Sequence, residues 1–247
     1  MTQFVTLAAV QAKREQLGTP GQEIWRTMFL EAPQGTRLPQ AFLIEYATEK
    51  VLRLHFHDVD EFQVVLAGSG RLGPHLLFPG VVHFARAHTG YGPVVAGPKG
   101  LSFLTLRARR DSAGPQLLPE RRDALMAVAG RQPWQVTSIA SFANSTADVP
   151  LSIHSMPAVR SAQGLAAYTV SAQPHIEGAM PAANGSAGQY VTVLDGSAWI
   201  NGVEHAAVAL GFVKANEPPL LFTAGSRGFK ALVFNFPQSA PAPAPSP

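Results

Sequence analysis

The stretch that decides the fold is His55-Phe-His57-Asp-Val-Asp-Glu61-Phe-Gln-Val-Val-Leu-Ala-Gly68. Two histidines stand two apart, a glutamate follows four residues after the second, and an apolar run ends in glycine. Along an extended strand successive side chains alternate between faces, so residues of one parity share a face. His55, His57 and Glu61 are all odd-numbered, so an unbroken strand would point both imidazoles and the carboxylate the same way. Leu52, Leu54 and Phe56 would then point into an apolar layer on the other side. Two neutral imidazoles and a carboxylate suit a divalent ion such as iron, manganese, nickel or zinc. The alternative is a histidine-bearing surface strand with no ion.

The stretch resembles the first motif of the cupin superfamily: His-x-His, three or four residues, Glu, six residues, Gly. His55, His57, Glu61 and Gly68 stand at that spacing. The resemblance implies a jelly-roll β-barrel with a divalent metal ion on His55, His57 and Glu61. The family's second motif supplies a fourth ligand, usually His. Counting from Gly80 puts Arg86 at its proline, His88 at its second glycine and Tyr91 at the ligand. Tyr91 then has two readings. Its phenol loses a proton of pKa ~10 and ligates the ion, or it hydrogen-bonds to an ion-bound water and leaves that coordination position open. His88 faces solvent from a turn or swings inward as a substitute ligand, His83 packs on a strand beside the apolar layer, and His75 is exposed.

Arg53 and Gln63 share the inward parity and, with Tyr91, make up the expected catalytic set. A guanidinium fork near a metal can hold a carboxylate substrate; the competing reading places Arg53 at the rim, paired with Asp58 or Asp60. Gln63 is a hydrogen-bond donor in support of the metal ligands.

Composition agrees with many short strands. The chain has 247 residues, 46% hydrophobic and 14% charged, with 22 Gly and 21 Pro, enough for a sizeable core broken by frequent turns. With no cysteine, disulfides and thiol catalysis are excluded. The net charge of +3 is spread along the chain without a basic block, which argues against nucleic-acid binding. Lys13 and Arg14 follow the first apolar run instead of preceding it, the wrong order for a secretory signal. No apolar run approaches the ~20 residues of a membrane span. The expectation is a cytoplasmic protein with a small-molecule ligand, no membrane or nucleic-acid partner, and scope for a homodimer.

Sliding the chain by 128 residues exposes a repeat. Residues 61–106 fall on 189–234 without a gap, and 10 of these 46 positions are identical, among them Gly68/Gly196, Phe84/Phe212 and Gly100/Gly228. The chain therefore reads as all-β, two cupin barrels in tandem. The expected boundaries are an N-terminal segment at 1–20 with a helical Gln11–Leu17, a first barrel at 21–107, a linker with a short helix after Pro119 at 108–133, a second barrel at 134–237, and a disordered Pro/Ala tail at 238–247. Ala183, Gly185 and Gln189 stand opposite His55, His57 and Glu61, so the second barrel keeps no metal-binding side chain at those positions. The resemblance implies a metal-dependent enzyme, dioxygenase-like, acting on a small organic or carboxylate substrate. A binding or structural barrel without metal chemistry is the alternative.

Overall fold

The computed structural model describes residues 2–19, 23–142 and 148–238. The chain opens with β1 (Phe4–Thr6), the single-turn helix α1 (Leu7–Val10), β2 (Glu15–Leu17), β3 (Ile24–Leu30), β4 (Gln40–Tyr46), β5 (Val51–Leu52) and β6 (His55–Phe56). It continues with β7 (Glu61–Leu72), β8 (His75–Leu77), β9 (Val81–Ala85), β10 (Val94–Arg107), β11 (Gln116–Leu117) and α2 (Arg122–Met126). The second half holds β12 (Gln135–Ile139), β13 (Leu151–Arg160), β14 (Ala166–Ala172), β15 (Glu177–Ala179), β16 (Gln189–Ile200), β17 (Val203–Ala206), β18 (Ala209–Val213) and β19 (Leu221–Asn235).

Among the described residues the strands form two large antiparallel sheets of like order and a separate two-stranded pair, β6 with β11. One runs β12-β9-β7-β10-β4-β3-β2, with β8 on β7 and β5 on β10. The other runs β1-β18-β16-β19-β14-β13, with β17 on β16 and β15 on β19. The 128-residue register holds in space: β7 and β16 start at Glu61 and Gln189, and β9 and β18 at Val81 and Ala209. Gly68 and Gly100 have φ of +78° and +72°, and Gly196 and Gly228 repeat them at +69° and +72°. In each pair a Cβ on the first glycine would collide with the carbonyl oxygen of the second, so the paired glycines let two kinked strands touch.

Two strands pair across the expected boundaries. Phe4–Thr6, in the expected N-terminal segment, pairs with Ala209–Gly211 in the second sheet. Gln135–Ile139, expected in the second barrel, pairs with Val81–Ala85 and forms the edge of the first sheet. Each sheet thus ends on a strand borrowed from outside its own run of chain. Gln11–Leu17 is a short 3-10 turn followed by β2, which takes up backbone pairing with Ile24–Arg26. The short helix in the linker is present as α2. The expected tail, from Ser239 onward, lies outside the described residues.

Three apolar clusters form among the described residues. Val65, Leu72, Val81, Val94, Leu101 and Phe103 line the inside of the first barrel. Val170, Val191, Ile200, Phe222 and Val233 line the inside of the second. The third lies between them: Phe62, Val64, Phe84, Leu104 and Leu106 pack on Tyr190, Leu210, Leu232, Phe234 and Phe236. Phe62 is its hub, with ring centroids 4.7 Å from Phe84, 4.6 Å from Phe234 and 5.1 Å from Phe236. The central strands are therefore covered on both faces, which is why Phe62-Gln-Val-Val-Leu carries almost no polar alternation.

We expect Phe62→Ala to cost about 3–5 kcal/mol, the range for a fully buried aromatic, and to lower the urea midpoint of a single transition. Two resolved transitions in that variant would show that the barrels unfold independently.

Candidate functional site

The strand expected over Val51–His57 is broken. Val51 and Leu52 pair with Val95 and Val94 of β10. The chain then bends at Arg53 and Leu54, and His55–Phe56 pairs with Gln116–Leu117 on one side. On the other side the amide of His55 donates to Tyr91 O (3.1 Å) and that of Tyr91 to His55 O (2.9 Å). The bend has two consequences. Leu54, expected in the apolar layer, is exposed. Arg53, expected to point inward, faces solvent and pairs with Glu120 at 2.5 Å, so it lies outside the site and meets neither Asp58 nor Asp60. The inward group is its carbonyl, which accepts from His55 Nδ1 at 2.8 Å.

His55, His57, Glu61, Gln63 and Tyr91 do converge. The His55 and His57 rings stand edge to face at 5.2 Å, and Tyr91 lies 4.4 Å from His55. His57 sits in the loop before β7, its carbonyl accepting from the His88 amide at 2.7 Å. Its Nδ1 donates to Asp111 Oδ2 at 2.6 Å, and its Nε2 is 4.0 Å from Glu61 Oε2. Both imidazoles thus commit Nδ1–H to an oxygen, which leaves Nε2 as the lone-pair nitrogen. His55 Nε2 is buried with no hydrogen-bond partner.

Glu61 is fully engaged. Its Oε1 accepts from Tyr91 OH at 2.7 Å and Gln63 Nε2 at 2.8 Å. Its Oε2 accepts from Arg107 Nε at 2.7 Å and makes a second, shorter contact with Arg107 Nη2. Arg107 also donates to Gln40 Oε1 at 3.1 Å, and its Nη1 lies 3.3 Å from Asp111 Oδ2. Its guanidinium carbon stands 5.2 Å over the Phe42 ring. Tyr91 therefore reaches the carboxylate directly. Among the described residues no group of three or more His, Cys, Asp or Glu is arranged to hold a metal ion.

Burial dominates the titration of these groups. It pushes His55 from 6.5 down to about 4, with His57 adding to the effect, and takes His83 to about 4 as well. Burial alone would raise Glu61, but Arg107 and His57 outweigh it and hold the carboxyl at about 2. Burial and the neighbouring Glu61 push the Tyr91 phenol well above its usual range, so it is a neutral donor at any ordinary pH. Asp111 stays low through its bond to His57 and through Arg107, against the effect of burial.

Arg107 and Asp111 were missed in the sequence, and His83 was read only as a histidine packed on a strand beside the apolar layer, which it is. Arg107 ends the apolar strand β10, where it looks like the edge of a linker. The register of β7 on β10 gives the signal: Phe62 pairs with Leu106, which sets Glu61 beside Arg107. Asp111 lies four residues further on, in a segment read as linker. His83 is buried, its ring 5.1 Å from Tyr91, its Nδ1 3.0 Å from Thr137 Oγ1 and its Nε2 without a partner. It shares the inward face of β9 with Val81 and Ala85, beside a cavity of about 10 Å³ that Gln63 and Phe103 also line. His88 is held in its turn at φ +59°, 3.7 Å from Asp58, and takes no part. His75 lies exposed on β8, as expected.

The second barrel carries a neutral copy of the central pair. Gln189 and Asn235 stand 128 residues beyond Glu61 and Arg107, and Gln189 Nε2 donates to Asn235 Oδ1 at 2.7 Å.

No family model and no curated protein matches the sequence. Solved structures do match the fold. One is a putative dioxygenase from Nostoc punctiforme, with a TM-score of 0.65 at 13% identity, over 98% of this chain and 85% of that one. The pirin YhhW of Escherichia coli, in complex with nickel(II), gives 0.62 at 12% identity over 97% and 100%. A mutant oxalate decarboxylase of Bacillus subtilis gives 0.57 at 12% identity over 94% and 77%. The chain has the cupin fold, two barrels in tandem, as the sequence motif implied. At such identities the likeness concerns the fold alone. No helix is long and apolar enough to cross a membrane among the described residues.

The buried groups set a pH dependence for metal-free protein. His55 and His83 take up protons less readily folded than unfolded, so their contribution to stability is complete above about pH 6.5 and is lost as pH falls towards 4. Glu61, depressed from 4.5, adds a second loss from there down to about 2. Melting temperatures should therefore be level above neutrality and decline from about pH 6.5. A decline that starts only below pH 4.5 would show that the imidazoles are not buried in the neutral form.

Proposed function

We propose that the first barrel binds a divalent metal ion through Nε2 of His55, Nε2 of His57 and the Glu61 carboxylate. The observation that carries this reading is the pair of buried imidazoles whose tautomers leave lone pairs beside a carboxylate, one of them without any donor. A fixed tautomer, with Nδ1–H held by an oxygen, is how metal-binding histidines are oriented. Charge points the same way: before the imidazoles are counted, Glu61 and Asp111 oppose a single guanidinium, Arg107. The donor set is compatible with iron, manganese, nickel or zinc.

A bound ion would supply Lewis acidity at the open side of the two imidazoles. The chain's own residues would hold Glu61 in place through Gln63 and Arg107, and the neutral Tyr91 phenol would donate a hydrogen bond beside the ion. Dioxygenase-like turnover of a small organic or carboxylate molecule is the enzymatic form of this proposal. It draws on the putative dioxygenase and the oxalate decarboxylase of like fold, the latter with described Mn(II) centres.

A second reading is a binding or structural barrel without metal. Its support is Arg107, which occupies one oxygen of Glu61 twice over, and an interior cavity of water size. Elemental analysis of untagged protein purified without chelator decides between the two. Wild-type protein that stays metal-free in excess iron, manganese, nickel and zinc would establish the second reading.

If the ion binds, Asp111→Asn should weaken it by about 10–100-fold, the usual effect of removing a group that orients a ligand. His57→Ala should weaken it further, and Tyr91→Phe should leave occupancy nearly unchanged. Loss of metal in Tyr91→Phe alone would identify the phenolate as a ligand.

A further inference from the structure

A groove of about 620 Å³ runs where the two barrels and the linker meet. Arg37 and Arg109 come from segments flanking the first sheet, Arg86 from the end of β9, and Arg131 from the linker. Gln163 and Phe236 close it from the second barrel. Its volume falls within the ~300–1,000 Å³ of small-molecule sites. It is separate from the His55–Glu61 cluster, which faces the inside of the first barrel.

Charge singles the groove out. Four arginines line it and Asp60 is its one carboxylate. None of the four makes an ion pair with a carboxylate among the described residues. Arg86 donates to the neutral side chains of Gln132 (2.8 Å) and Gln163 (3.0 Å), and Arg109 to the backbone carbonyl of Asp58 (2.7 Å). Arg131 has only long contacts, 3.4 Å to His88 O and 3.5 Å to Met126 Sδ. Arg37 is exposed and has no hydrogen bond or ion pair among the described residues. Four other arginines, Arg14, Arg26, Arg53 and Arg107, each meet a carboxylate, whereas Arg110 donates to the backbone carbonyl of Ala32 and Arg71 has no ion pair among the described residues. A guanidinium has five donors in a planar fork that fits carboxylate and phosphate oxygens two at a time. Four such forks from four segments suit a ligand with more than one anionic group, and Val128 and Ala129 supply an apolar edge for its carbon body.

We propose that the inter-barrel groove binds a small multivalent oxyanion, a polycarboxylate or a phosphate ester, through Arg37, Arg86, Arg109 and Arg131. The site is independent of any metal in the first barrel.

Titration calorimetry of the full chain at low salt tests this, with tricarballylate as the polycarboxylate probe and fructose 1,6-bisphosphate as the phosphate probe. Both are weak chelators, so a result here does not depend on the metal reading. The expected result is saturable binding of at least one probe at one site per chain, and the tighter one names the ligand class. The Arg86→Gln/Arg131→Gln double variant should lose at least tenfold in affinity. Arg37→Gln, which breaks no contact, should lose severalfold at an unchanged melting temperature, and this keeps the test valid if the double variant is destabilised. Arg71→Gln, exposed on β7 and outside the groove, should bind like wild type. Absence of saturable binding by both probes would overturn the proposal. So would an equal loss in Arg71→Gln, or tighter binding of a single-stranded oligonucleotide that Arg37→Gln leaves unchanged, since either points to diffuse surface charge.

Discussion

The central sheet of the first barrel has no wet face, and much of the molecule follows from that. Phe62, Val64, Leu104 and Leu106 are sealed by the second barrel, while the odd-numbered side of β7 looks into the first. A charge on that inner side cannot be solvated by water, and an isolated buried carboxylate costs far more than a small domain can bear. Glu61 is therefore surrounded: a phenol, an amide and a guanidinium fill its hydrogen-bonding sites. The guanidinium needs anions in turn and finds a second one in Asp111, which binds His57. Position by position, two-sided burial turns one acidic residue into a network that reaches from β7 to the linker.

The second barrel shows that the fold itself does not require this charge. At the equivalent places Gln189 and Asn235 join by an amide–amide hydrogen bond, and Gln189 also donates to Pro181 O at 2.8 Å. Two barrels of one topology thus solve the same burial problem, one with neutral groups and one with ions. A neutral pair avoids the desolvation penalty of buried ions. The ionic version places three charged groups against two imidazoles, a setting with chemical consequences that the amide pair lacks.

Much of this was legible in the sequence, and the exceptions have physical causes. The barrel repeat could be read because paired glycines and apolar runs fall in an ungapped register, and geometry fixes both. Tyr91 could be placed because a motif count reaches it, and Gln63 because β7 is unbroken from Glu61 onward. Arg53 and Leu54 were misplaced because parity holds only within one strand, and the chain bends at those two residues so that His55 can pair with Tyr91 and Leu117. Arg107 and Asp111 escaped notice because a charged residue at a strand end resembles a domain edge; only the pairing of β10 with β7 brings Arg107 to Glu61. The exchanged edge strands were invisible for a similar reason. Three residues such as Phe4-Val-Thr carry no mark of the distant strand that will accept them.

That exchange shapes how the chain is made. Phe4–Thr6 pairs with Ala209–Gly211, which the ribosome adds ~200 residues later. At ~5–20 residues per second the gap is about 10–40 s. Throughout it Phe4 and Val5 have no edge to join, and the first barrel presents Phe62 and Phe84 with nothing to cover them. Closing so long a loop carries an entropic cost that only the finished inter-barrel core repays. Both surfaces therefore stay sticky until the second barrel has been made, the state in which holding chaperones engage a chain.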